Sequence, residues 1–127
     1  MGLFYSCEEK GFDTTASLKI TLHTCKNPVI AGKQVTICFD SLLGDSRCPV
    51  YAECFWRGFA AGKFSFSANG ETHHLRLSEF AIHGFFPKDT IVSGYKVEFT
   101  DLEPYPGTVS LPVPDNKIKA EMKITKL

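Results

Sequence analysis

Cys48 and Cys54 stand with five residues between them, and Asp45, Arg47, Tyr51 and Glu53 crowd around them. Thiols at close spacing could do three kinds of chemistry. A zinc ribbon needs a second tight cysteine pair, and none accompanies these two. A dithiol redox centre needs two intervening residues rather than five. A structural disulfide fits best, and it would hold residues 49–53 rigid. Asp45 and Arg47 have two readings. They present a carboxylate and a guanidinium to a ligand beside Tyr51 and Glu53, or they pair to brace the loop, with Asp45 accepting backbone N–H groups of the turn it opens. Bracing is the preferred account. Trp56, the only tryptophan, is expected in the core against the bridge.

Other chemistry finds less support. His73 and His74 are adjacent, so on a strand they point to opposite faces and do not share an ion. With His23 and His83 they form no recognisable ligand pair, and no metal or other cofactor is expected. No Gly-x-Ser-x-Gly elbow and no phosphate-cradling glycine loop is present, so no catalytic residue is named. The chain carries 14 basic and 14 acidic side chains with no basic stripe, which argues against nucleic acid as a partner. No apolar run approaches the roughly 20 residues of a membrane-spanning helix. Five cysteines in 127 residues suit an oxidising compartment. Leu3-Phe4-Tyr5-Ser6-Cys7 followed by two glutamates resembles the end of a bacterial lipoprotein signal. Cys7 is thus the expected point of lipidation and of attachment to a membrane. Phe4 stands where such signals usually carry leucine, and a chance cysteine at the chain's start is the competing account.

The elements that must position these residues read as strands. Residues 1–16 are expected as a tether and residues 17–127 as a single domain. Residues 17–25 alternate, with Leu18, Ile20 and Leu22 inward. Residues 34–42 follow, with Val35, Ile37 and Phe39 inward. A turn at Ala31-Gly32 would bring Cys25 opposite Cys38 on the outward face, where a cross-strand disulfide is expected if the Cα separation allows. From Phe59 to Ala68 a longer strand carries small residues at Ala60 and Gly62, leaving room for something bulky. Asn69-Gly70 is the strongest hairpin signal, since both positions of a type I′ turn need positive φ. It sets Phe66 opposite His73 and Phe64 opposite Leu75. Residues 94–100 alternate with Tyr95, Val97 and Phe99 inward. Pro104-Tyr105-Pro106 makes a stiff corner. Residues 108–114 read as a short edge strand, and residues 116–127 close the domain. About seven short antiparallel strands define an all-β domain, with an immunoglobulin-like β-sandwich as the expected architecture.

Two of these stretches carry a resemblance. Asp45-Ser46-Arg47-Cys48-Pro49, then Cys54-Phe55-Trp56-Arg57-Gly58, then Leu102 before Pro104-Tyr105-Pro106, resembles a family of small bacterial secreted or lipoprotein domains. The similarity in organisation runs over residues 17–127. The Cys25 and Cys38 pair and Phe59 depart from the family pattern. The resemblance implies a β-sandwich in an envelope or secreted setting, and it implies no particular activity. The expected function is a non-enzymatic binding or structural module of the envelope or exterior, whose partner is a protein or a small ligand. Its contact surface is expected at Asp45, Arg47, Tyr51, Glu53 and Tyr105. A metal-binding protein and a hydrolase inhibitor acting through the stapled loop are the alternatives.

Overall fold

Alternation of apolar and polar residues carries through into an all-β, antiparallel structure. The computed structural model describes residues 14–55, 58–80 and 86–127. One four-stranded sheet takes β1 (Thr15–Thr21), β10 (Lys119–Lys126), β9 (Tyr95–Glu103) and β8 (Asp89–Val92) in that order. The other takes β2 (Cys25–Lys26), β5 (Thr36–Asp45), β6 (Ala60–Ala68) and β7 (Glu71–Ser78). β3 (Val29–Ile30) and β4 (Lys33–Gln34) form a small ribbon between β2 and β5. Among the described residues the only helical element is a single 3₁₀ turn at Asp115–Lys117.

The inward faces of both large sheets feed one hydrophobic cluster. Ile37, Phe39, Phe64 and Phe66 come from one sheet, and Val97, Phe99, Met122 and Ile124 from the other; all are fully buried. Burial of each such side chain contributes about 2 kcal/mol. Aromatic contacts run within and between the two sheets. Phe39 stacks on Phe64 at 5.0 Å, Phe64 meets Phe99 edge-on at 5.1 Å, and Phe66 meets Tyr95 edge-on at 5.4 Å. Gly62 makes room for this ladder, because a Cβ there would lie 2.9 Å from the Phe64 ring and 3.1 Å from that of Phe39.

The two turns read from the sequence form as expected. Asn69 and Gly70 both have positive φ, and Phe66 pairs with His73, Phe64 with Leu75 and Gly62 with Leu77. Ala31 and Gly32 turn β3 into β4, and Cys25 lies opposite Cys38. Those two cysteines are joined as a disulfide.

Four expectations are corrected. The strand expected over residues 17–25 is two strands in different sheets. Leu22 donates its N–H to the Ile118 carbonyl, His23 turns at φ 69°, and the His23 N–H passes to Phe39 of the other sheet. β1 begins at Thr15, so the boundary expected after residue 16 falls inside it. Asp89–Val92 is a strand that the reading missed, joined to β9 by a tight turn at Ser93-Gly94. Residues 108–114 form no edge strand. Pro112 and Pro114 cannot donate to a ladder, and the segment is a series of bends instead.

Candidate functional site

β5 ends at Asp45, and the chain then needs to leave the sheet without exposing an unpaired backbone. Asp45 supplies the solution: its Oδ1 accepts the backbone N–H of Arg47 at 3.2 Å, closing a local turn. The same turn swings the Arg47 side chain inward, where only 4% of it is exposed. Four of its five guanidinium N–H groups are hydrogen-bonded. Nε donates to Asp45 Oδ1 at 2.9 Å, and Nη2 donates to Asp45 Oδ2 at 2.8 Å and to the Pro104 carbonyl at 3.1 Å. Nη1 donates to the Leu102 carbonyl at 2.7 Å. The Tyr105 ring lies over the guanidinium carbon, 4.9 Å from its centroid. Burial pulls the Arg47 pKa down, but hydrogen bonding and the charge of Asp45, with Asp101 and Glu79 behind it, outweigh that and hold the group above its ordinary value. Arg47 therefore joins the loop to the corner. It is not a free cation waiting for a ligand.

Other contacts reinforce the junction. Cys48 and Cys54 are bridged with their Cα atoms 6.0 Å apart. Val50 donates its N–H to the Pro106 carbonyl at 3.1 Å. The corner turns through Thr108, whose hydroxyl donates to the Tyr105 carbonyl at 2.6 Å. Gly107, at φ 89°, lies so close to the loop that a Cβ would sit 2.9 Å from both Tyr51 and Val50 side chains. The Glu103–Pro104 and Leu111–Pro112 peptides are cis.

Between loop and corner runs an apolar groove of about 780 Å³. Leu42 of β5, Leu102 of β9 and Ile118, just before β10, form its floor. Pro49 and Tyr51 stand on one side, and Pro106, Val109 and Val113 are among the residues of the other. Charge within it is cancelled. Arg47 is held by Asp45, and Glu103 accepts a 2.6 Å hydrogen bond from Lys19. That hydrogen bond, followed by the Glu103 charge, holds the Lys19 ammonium above its ordinary pKa. The rim is apolar: Tyr51 is 76% exposed and Leu111 77%, with Tyr105 and Val109 also exposed. Exposed apolar side chains gathered at one groove mark a contact site more than the same residues scattered singly would.

Of the residues expected to form a contact surface, Asp45, Arg47, Tyr51 and Tyr105 line this groove, while Glu53 stands exposed on the loop beside it. The sequence reading missed the floor and the wall at 109–113. The only local signal was the density of prolines after Leu102. Cys7, Trp56 and His83 lie outside the described residues.

The three described histidines are dispersed. His23 contacts the Asp40 carbonyl and Asp115, His73 contacts Ser93, and His74 contacts Ser65. Among the described residues no three His, Cys, Asp or Glu side chains converge for a metal ion. Ser65 donates to Asp40 and also touches His74, so serine sits between carboxylate and imidazole. A hydrolytic relay needs the imidazole in the middle.

Removal of the Cys48–Cys54 bridge is expected to cost only about 2 kcal/mol, since the closed loop is short. Its larger effect falls on the groove wall. Hydrogen exchange of Cys48→Ser/Cys54→Ser should show faster exchange confined to the loop and residues 104–108. Unchanged exchange there would mean that Arg47 and the Val50–Pro106 hydrogen bond hold the wall without the bridge.

No protein-family model, no curated protein and no solved structure matches this chain. Among the described residues no helix is long and apolar enough to cross a membrane.

Proposed function

We propose that this protein is a non-enzymatic binding module of the cell envelope or exterior, built as an immunoglobulin-like β-sandwich, whose contact site is the groove between the stapled loop and the Pro-Tyr-Pro corner. One observation carries the reading: a groove of about 780 Å³ whose walls are apolar and whose charged groups are already paired. That volume falls within the roughly 300–1,000 Å³ of small-molecule and side-chain sites. An uncharged, apolar group is the matching occupant, because a charged one would lose hydration and find no free counter-charge inside. Rigid walls add to affinity, since a disulfide and fixed prolines leave little to order on binding. Two disulfides support an oxidising compartment, and the Asp45-Ser46-Arg47-Cys48-Pro49 resemblance supports the same setting. Lipid attachment at Cys7 belongs to this reading as its means of anchoring.

The neutral dye Nile red serves as a probe. Saturable fluorescence enhancement is expected, with affinity lowered about tenfold by Tyr51→Ala or Tyr105→Ala, the loss typical of a buried aromatic contact. Ile91→Ala, an exposed apolar residue on β8, is the control. Equal binding by all four proteins would place the site elsewhere.

A further inference from the structure

We infer that the groove's occupant is a second copy of this chain, in a two-fold symmetric dimer; this rests on the groove being a contact site. An isologous interface needs a face that carries both a hollow and the projections to fill it. This face does. The hollow is lined by Leu42, Leu102 and Ile118, and the exposed apolar side chains that line it are Tyr51, Leu111 and Tyr105.

Charge points the same way. Glu53 stands exposed on the stapled loop, which forms one wall. Lys117 stands exposed past the other wall, lining a smaller adjoining hollow with Val109, Ser110 and Val113. Among the described residues neither forms an ion pair, although most other charged groups near the groove do. In a two-fold arrangement the Glu53 side of one copy meets the Lys117 side of the other, twice over. A formal net charge of zero leaves no long-range repulsion between copies. Proteins that must remain monomeric keep a net charge and avoid such patches.

Sedimentation equilibrium of the full chain, from nanomolar to high micromolar concentration, tests the proposal. A species of twice the 14.1 kDa chain mass is expected. Tyr51→Ala and Leu111→Asp should weaken it, while Ile91→Asp should not. Glu53→Lys or Lys117→Glu alone should weaken association about tenfold, because each creates two like-charge contacts across the axis. The double variant Glu53→Lys/Lys117→Glu should restore it. Nile red binding should rise as the protein is diluted and the groove is uncovered. A monomer at every concentration that still binds the dye in a Tyr51-dependent way overturns the dimer and leaves the groove as a site for another molecule. A dimer indifferent to these substitutions also overturns it, since its interface lies elsewhere. A monomer whose dye binding ignores Tyr51 removes both readings.

Discussion

Arg47→Ala is expected to lower stability by about 3 kcal/mol, the loss that follows when one partner of a buried ion pair is removed. For a chain of this size that is a fall in melting temperature of about 10 °C. The alanine leaves the Asp45 carboxylate without its two charge-assisted bonds, and it strands the Leu102 and Pro104 carbonyls beneath the groove. Arg47→Lys should recover only part of the loss. A single ammonium cannot reproduce a planar fork that spans a carboxylate and two carbonyls. Replacing both partners, as Asp45→Ala/Arg47→Met, should be milder than Arg47→Ala, because no charge is then left unpaired. Urea denaturation of the four proteins decides the matter. A change below about 0.5 kcal/mol for Arg47→Ala, the ordinary size of a surface substitution, would mean that the junction is held by the bridge and Val50 alone.

Gly58→Ala should be nearly as damaging, at about 3 kcal/mol, from positive-φ strain plus overpacking. Gly58 sits at φ 73° where the chain returns from the stapled loop to β6. A Cβ there would lie 2.2 Å from the Ser46 carbonyl oxygen and 2.9 Å from the Arg47 Cα. Both obstacles are backbone, so no rotamer change relieves them. The obstructed segment is the one that aims Arg47, anchored by the Ser46 N–H to the Phe59 carbonyl at 2.8 Å. Dye binding should therefore fall together with stability. Gly44→Ala is the contrast, since nothing lies within 4 Å of its added Cβ, and a change under about 0.5 kcal/mol is expected. Equal effects from the two would show that the cost comes from chain entropy rather than from the close approach.

The parts of the fold that were legible are those whose cause is local. Asn69-Gly70 dictates a turn type, the turn dictates a register, and Phe64 and Phe66 then face the core without adjustment. The Cys25 and Cys38 pairing followed from the Ala31-Gly32 turn in the same way. The failures have non-local causes. Nothing around Leu22 announces that its N–H pairs with Ile118 while the next residue joins the other sheet. Asp89–Val92 is only four residues long, so its strand character rests on pairing with β9. At the site, the loop and the corner were each visible from their cysteines and prolines. The means by which they meet was not. Carbonyls of Leu102 and Pro104 carry no sequence signature as acceptors, and they are what Arg47 binds.

The pairing of β1 with β10 reaches further than architecture. Thr15 lies opposite Thr125, and every rung of that ladder joins residues about a hundred positions apart. By contrast β5, β6 and β7 are consecutive neighbours in their sheet, and a tight turn links the last two. Order of assembly follows from loop-closure entropy: local hairpins form before the chain's two distant arms are drawn together. The groove inherits that order. Its floor needs Leu42 from the early sheet and Ile118 from the approach to β10, so it is among the last features to appear. A chain that has reached only its early meander carries the stapled loop's residues with nothing behind them, and binding competence arrives with the closing strand.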